Sequence, residues 1–251
     1  MLTRNPGNAF ITFTLLLICT LPFALNLFGF DFGSLPHPLS TGNLVNSSVP
    51  TEGVFYAIEG TFHHALLEWA GVCLAFLTAA ISVIHYYIRR DISVAILGLA
   101  ILSAGTVDSF HALAATRMIH SSIPNTEYIL FTWSIARIFH AFVLIAGISV
   151  SFWAVKRQQA LLHKSSKHNQ LTTLAITGVM SVGLAYATLY ITAQSVHIPQ
   201  TIYSNALVTR PLDVMALGMF LLVASLFWTS YRKKPSIVKL AFLLSCIPEV
   251  F

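Results

Sequence analysis

Apolar segments of about 20 residues recur along almost the whole chain, and each is long enough to cross the ~30 Å hydrocarbon layer of a bilayer as a helix. Of the 251 residues, 56% are hydrophobic and 9% are charged. In a typical soluble protein about a quarter of the residues are charged. The sequence therefore predicts an all-α, polytopic transmembrane helical bundle and leaves little room for a soluble domain.

About seven spans are predicted, in a single membrane-embedded domain over 1–251. They lie at 9–29, 61–88, 92–115, 128–155, 171–194, 211–230 and 237–251. A retained first span is favoured over a signal peptide, because its apolar stretch is long and no small-residue cleavage motif follows it. The segment 30–60 is rich in Pro, Ser, Gly and Asn and predicts an external loop. The last segment has only about 15 residues, so we expect a truncated helix.

Most of the basic residues fall on one side of this topology. They are Arg4, Arg89, Arg90, Lys156, Arg157, Lys164, Lys167, Arg232, Lys233, Lys234 and Lys239. The positive-inside rule makes that side the cytoplasm, so we expect a multi-pass protein of the inner (cytoplasmic) membrane with its N-terminus in the cytoplasm. The net charge of +5 then reflects loop anchoring and contact with the lipid bilayer, and nucleic acid is not an expected partner.

Three charged residues fall inside the predicted spans 61–88, 92–115 and 128–155, where a charge is costly and usually marks a functional site. They are Glu68, Asp108 and Arg137. Counted from the outer ends of their spans, they lie at depths of roughly 10 to 14 Å at helical rise. The three side chains can therefore meet in one layer of the outer leaflet.

Further polar residues accompany these three at helical spacing. His64 precedes Glu68 by one turn, His111 follows Asp108 by three residues, and Trp133 and His140 flank Arg137. Consecutive antiparallel helices are usually neighbours, which predicts a polar pocket that binds a small ligand, an ion or a proton. The candidate site comprises His64, Glu68, Asp108, His111, Trp133, Arg137 and His140. The simpler alternative is an ion pair between Asp108 and Arg137 that only holds the helices together.

Histidines at similar depth leave two other functions open. Candidate ligands of haem or of a metal ion are His63, His64, His111 and His140. Haem could be held by two histidines from different helices, although no attachment motif is present. A zinc-dependent intramembrane hydrolase could use histidines together with Asp108, but Arg137 in the same layer would repel a divalent cation. The cofactor is therefore unknown, and neither haem nor metal is favoured. Motifs of soluble enzymes, such as a phosphate-binding glycine loop, are missing, so we expect no catalytic domain in this segment.

The order and spacing of three motifs resemble those of the membrane-associated sensor domains of the MASE group, specifically its third type. The motifs are His64-Ala-Leu-Leu-Glu68, then Asp108-Ser-Phe-His111-Ala-Leu113 followed by Met118, and Trp133-Ser-Ile-Ala136-Arg137. The resemblance covers most of the chain and also includes the terminal Ile247-Pro-Glu249-Val-Phe251.

This resemblance implies an N-terminal input module of a bacterial or archaeal signalling protein that acts as a homodimer. The output domain would be cytoplasmic and of the histidine kinase or diguanylate cyclase type. With the N-terminus inside, such an output requires an even number of spans. We therefore expect eight spans in the full protein, with the eighth helix and the output domain beyond Phe251.

Overall fold

The computed structural model describes residues 51–119, 123–160, 167–203, 205–233 and 237–246, together with 27–29 and the isolated positions Leu17, Leu21 and Ala24. The described residues form helices and no strand, in agreement with the all-α prediction. The helices are α1 (Thr51–Arg89), α2 (Ile92–Ala115), α3 (Asn125–Ala160), α4 (Lys167–Gln194), α5 (Pro211–Lys233) and α6 (Ile237–Ser245).

Five of these helices, α1 to α5, are long and apolar enough to cross a membrane. This finding indicates a multi-pass membrane protein. The predicted first span, 9–29, lies outside the described residues apart from a few positions, and the last span is described only as far as Cys246. The predicted totals of seven spans here and eight in the full protein therefore stay predictions.

Helix α1 begins earlier than the sequence analysis placed it. The predicted external loop extended to 60, whereas the helix starts at Thr51 and has 39 residues. In the sequence, Pro50 directly precedes Thr51, and Val54 and Ile58 continue the apolar spacing of the predicted span. Gly53 and Gly60 therefore do not interrupt the helix. At about 1.5 Å per residue the helix is roughly 58 Å long and exceeds the thickness of a bilayer core.

The chain divides into two compact units, 1–67 and 68–251, with the boundary inside α1. In the first unit, the backbone N–H of Phe28 donates to the carbonyl of Ala24, and Gly29 follows with a left-handed backbone (φ 88°). The helical residues 51–67 of α1 form the other described part of this unit. The following paragraphs concern the second unit.

A two-residue turn joins α1 to α2. Arg90 adopts a left-handed conformation (φ 59°), its backbone N–H donates to the carbonyl of Tyr86, and its guanidinium lies over the Tyr86 ring. The Asp91 side chain then caps α2 by accepting from the backbone N–H of Ser93. A turn this short makes α1 and α2 an antiparallel pair.

Small residues allow α1 and α2 to approach closely. A Cβ added at Gly105 would lie 2.7 Å from the Cβ of Ala75, and one added at Gly98 would lie 2.8 Å from the Oγ of Ser82. Both contacts repeat at a spacing of seven residues on each helix. Such close approach through small residues is the usual way in which membrane helices associate, because van der Waals packing is their main attraction.

Helices α2 and α3 form the centre of the second unit. In the most apolar part of α2, 61% of the residues are buried, against 6% in α4, whose side chains mostly face outward. Helix α4 packs against α2. Helix α5 packs against α3, and α6 packs against α5. The largest buried cluster joins α2, α3, α5 and α6 and comprises Leu97, Ala141, Leu144, Ile148, Phe220, Val223, Phe227, Phe242 and Cys246.

Candidate functional site

A chain of polar side chains connects α1, α2 and α3 inside their apolar segments. The Nε2 atom of His111 lies 3.1 Å from the Oε1 atom of Glu68, and its Nδ1 atom lies 2.9 Å from the Oγ1 atom of Thr132. The exposed fractions of the side chains are 18% for Glu68 and 8% for His111. Thr132 is only 2% exposed. Three consecutive helices thus place a carboxyl group, an imidazole and a hydroxyl in line.

The hydroxyl group of Thr132 has two acceptors within reach but only one hydrogen. Its Oγ1 atom lies 3.0 Å from the carbonyl oxygen of Ile129, in addition to its contact with the Nδ1 atom of His111. If Thr132 donates to Ile129, the Nδ1 atom of His111 must carry a hydrogen and donate to Thr132. If Thr132 donates to His111, that nitrogen must carry no hydrogen.

These two arrangements differ by one proton. In the first, the contact between Nε2 and Oε1 also needs a hydrogen, supplied either by an imidazolium ion or by a protonated Glu68. The Glu68–His111 pair then has no net charge. In the second, the neutral imidazole donates through Nε2 to an ionised carboxylate, and the pair has a net charge of −1. The Glu68–His111 and His111–Thr132 contacts are thus compatible with either charge of the pair, whereas the bond from Thr132 to the carbonyl of Ile129 belongs to the first arrangement only.

A second carboxyl–imidazole contact lies beside the first. The Oδ2 atom of Asp108 is 4.0 Å from the Nδ1 atom of His140, and the side chains are 38% and 24% exposed. The ring of His140 also meets the ring of Phe220 edge to face, with centroids 5.6 Å apart. Asp108 lies one turn before His111 on α2, so the two histidines occupy adjacent layers.

Arg137 lies on α3. The sequence analysis predicted that it lies at the same membrane depth as Glu68 and Asp108. Its guanidinium carbon is 5.1 Å from the centre of the Trp133 ring, in the position of a cation–π contact. We expected Glu68 and Asp108 to be the counter-charges of Arg137. This pairing stays a prediction, and each of the two carboxylates also lies beside a histidine.

Two contacts near the first turn of α5 extend this polar layer to that helix. The hydroxyl of Ser134 donates to the Oδ1 atom of Asp213 at 3.3 Å, and the Oδ2 atom of Asp213 is 3.7 Å from Arg210. Asp213 follows Arg210 by three residues, a spacing at which helical side chains are neighbours. The sequence analysis did not predict the roles of Thr132 and Ser134, because hydroxyl residues are common in membrane helices and usually bond to their own backbone.

The remaining predicted ligands lie partly outside this unit. His63 and His64 belong to the first unit, and their side chains are exposed. In the second unit, Glu68 and His111 offer an oxygen and a nitrogen atom of the kinds that bind zinc. Both ring nitrogens of His111 already have polar contacts, and an iron atom would have to displace one of them. The metal and haem hypotheses stay predictions.

No protein-family model matches the chain, and no curated protein or solved structure matches it. The resemblance to the membrane-associated sensor domains therefore depends on the three sequence motifs alone.

Proposed function

We propose that this chain is a transmembrane signal-sensing domain, and that the contact chain Glu68–His111–Thr132 is its sensing site. Among the small ligand, the ion and the proton considered from the sequence, the geometry favours the proton. The observation that carries this choice is the position of the Thr132 hydroxyl between Ile129 and His111. A ligand is not needed to connect the three side chains, since they already contact one another.

The site is placed where a change of charge would have a large effect. A net charge of −1 on a pair buried among apolar helices is unfavourable, and protonation removes it. Each state then favours the helix packing that suits its charge, and only this difference can shift the equilibrium between packings. The site touches α1, α2 and α3, so its state bears on the contacts among all three.

The proposed orientation places this site in the outer leaflet, with the basic helix ends in the cytoplasm. This follows from the positive-inside rule, which also gives a cytoplasmic N-terminus in the inner membrane. The signal would pass to a cytoplasmic kinase or cyclase domain in a homodimer, as the resemblance to the sensor family implies. Asp108, His140 and Arg137 would set the electrostatic field around the sensing pair.

Infrared difference spectroscopy of the protein in lipid nanodiscs tests the proposal. Acidification should produce a carboxyl or imidazolium band from the Glu68–His111 pair. Glu68→Gln should remove a carboxyl band, because an amide cannot take up the proton, and should shift an imidazolium band, because His111 loses its carboxylate partner. Thr132→Val should keep the band but change its frequency, since the Nδ1 contact is lost. Glu127→Gln is the matched control, because Glu127 is an exposed glutamate in the first turn of α3.

The control must leave the pair's band unchanged. If Glu68→Gln gave the same difference spectrum as the unaltered protein, Glu68 would not be part of a proton-binding site and the proposal would fail. An absorption band of bound haem, or one equivalent of zinc per chain that Glu68→Gln removes, would favour the corresponding alternative.

A further inference from the structure

A long groove lies between α2, α3 and α4, away from the polar site. Its volume is about 690 Å³, within the range of roughly 300–1,000 Å³ that is usual for small-molecule sites. Its floor is formed by Ile96 and Ala100 of α2, and its two walls by residues within 142–153 of α3 and 172–184 of α4. It therefore lies wholly within the second unit.

Small residues at the floor and the position of α4 create this groove. A Cβ added at Gly147 would lie 3.1 Å from the Cβ of Ala100, so α2 and α3 approach closely there. Helix α4 packs mainly on α2 and leaves a gap to α3. The side chains of Phe142, Ile176 and Met180 at its edges are exposed, so the groove is open toward the membrane.

The lining is suited to a hydrocarbon. Most of the lining side chains are apolar, and the hydroxyl of Thr177 donates to the carbonyl of Thr173 on its own helix, 2.8 Å away. This bond satisfies the hydroxyl group, so the Thr177 side chain presents mainly its methyl group to the groove. A polar ligand would find few hydrogen-bonding partners in the middle of this groove.

The length of the groove matches one leaflet of a bilayer. From Thr172 to Leu184 the lining follows 13 residues of α4, a rise of about 18 Å. Half of a ~30 Å hydrocarbon core is about 15 Å. A chain that enters at one membrane surface would thus reach about the midplane at the other end of the groove.

The end of the groove near Trp153 is basic. Trp153 is exposed there, as is usual for a tryptophan at a membrane interface. Lys156 follows it by one turn and is also exposed. Arg89 and Arg90 end the neighbouring helix on the same side, and both are exposed. Basic residues between helices at a membrane surface attract anionic headgroups. We propose that this groove binds one acyl chain of an anionic phospholipid, with the headgroup beside Lys156.

Quenching of Trp153 fluorescence by brominated lipids tests the proposal. In the full chain, Trp69, Trp133 and Trp228 are replaced by Phe, and the protein is placed in nanodiscs of graded composition. The probes are phosphatidylglycerol and phosphatidylcholine with bromine on the acyl carbons nearest the headgroup. Brominated phosphatidylglycerol should reach half-maximal quenching at a mole fraction about fivefold lower, which is the preference expected from one lysine.

Two variants and a control separate the groove from the general lipid surface. Ala146→Phe fills the groove and should abolish the saturable part of the quenching by both lipids. Ala187→Phe places the same ring on an exposed position of α4 that does not line the groove and should leave the quenching unchanged. Lys156→Gln should reduce the preference for phosphatidylglycerol without altering the quenching by phosphatidylcholine.

Equal quenching by the two lipids, in proportion to their bulk fractions, would overturn the proposal. Absence of quenching by either lipid would overturn it too, since it would mean that a second copy or another segment of the chain covers the groove. If Ala146→Phe unfolds at the same temperature as the parent protein, a loss of quenching in this variant reflects a filled groove rather than a disrupted fold.

Discussion

Gly105 on α2 faces the methyl group of Ala75 on α1, and replacing Gly105 with Ala should force the two helices apart. The added Cβ would lie 2.7 Å from the Cβ of Ala75, whereas carbon atoms pack best at about 3.5–4.0 Å. Neither methyl group can rotate away, so the helices must separate locally by about 1 Å. Overpacking of this kind typically costs about 1–3 kcal/mol.

The same substitution also removes a glycine from a helix, which alone stabilises by up to about 1 kcal/mol. Gly183→Ala provides this gain without a clash, because a Cβ there has nothing within 4 Å. The difference in unfolding free energy between the two variants, measured by denaturation in mixed micelles, should therefore be about 1–3 kcal/mol.

The exchanged pair tests the assignment of the clash to these two residues. Ala75→Gly in the Gly105→Ala background restores the space, so the double variant should be more stable than the sum of the single effects by about 1–3 kcal/mol. Strict additivity would refute the packing argument. Because the Glu68–His111 contact spans the same helix pair at 3.1 Å, we also expect the Gly105→Ala infrared spectrum to show a weakened contact.

Two further predictions concern stability. Asp91→Ala removes the side chain that caps α2 and should lower the unfolding free energy by about 1 kcal/mol. Asp91→Ser should keep most of this stability, because serine is also a good N-cap. Equal losses in the two variants would argue against a capping role. Phe242→Ala removes a ring that stacks on Phe227 with centroids 5.3 Å apart and planes 4° apart. It should cost about 1–3 kcal/mol, below the ~3–5 kcal/mol usual in soluble cores, because lipid offers the unfolded ring similar apolar surroundings. A loss below about 0.5 kcal/mol, the size of a typical surface substitution, would mean that the α5–α6 contact contributes little.

The helices follow from the sequence because the length and polarity of a span are set by the bilayer rather than by tertiary contacts. Helix α2 occupies Ile92–Ala115, the range that the sequence predicted. Among the described residues, the differences from the predicted spans lie at helix ends that extend beyond the apolar segments, such as residues 51–60. Neither the order of burial among the helices nor the gap beside α4 follows from composition, since the buried and the outward-facing sides of these spans are both mainly apolar.

The layer of the site could be predicted, but its pairings could not. Counting residues from the span ends gives the depth of Glu68, Asp108 and Arg137 directly. Which side chains touch depends on the rotation of each helix about its axis, and this is set by small-residue contacts such as Gly105 with Ala75. The sequence around a glycine in an apolar segment does not indicate which residue of another helix the glycine will contact. For the same reason, the contact of Thr132 with His111 has no signal in the sequence.

The close packing of α1 on α2 and the proposed sensing chain depend on each other. The small residues bring the helices near enough for Glu68 to reach His111, and the proton shared by that pair removes a charge from the interface. When the proton leaves, the pair carries a negative charge at the α1–α2 interface, and hydration of that charge needs more room than the close contact of Gly105 with Ala75 leaves. Deprotonation should therefore favour a looser α1–α2 contact, and protonation a closer one. The direction of the switch thus follows from the packing: acidification should slow hydrogen exchange of the backbone amides in the part of α2 around Gly105, after correction for the intrinsic pH dependence of exchange. Glu68→Gln, which leaves no negative charge on the pair at any pH, should hold α2 in the slowly exchanging state.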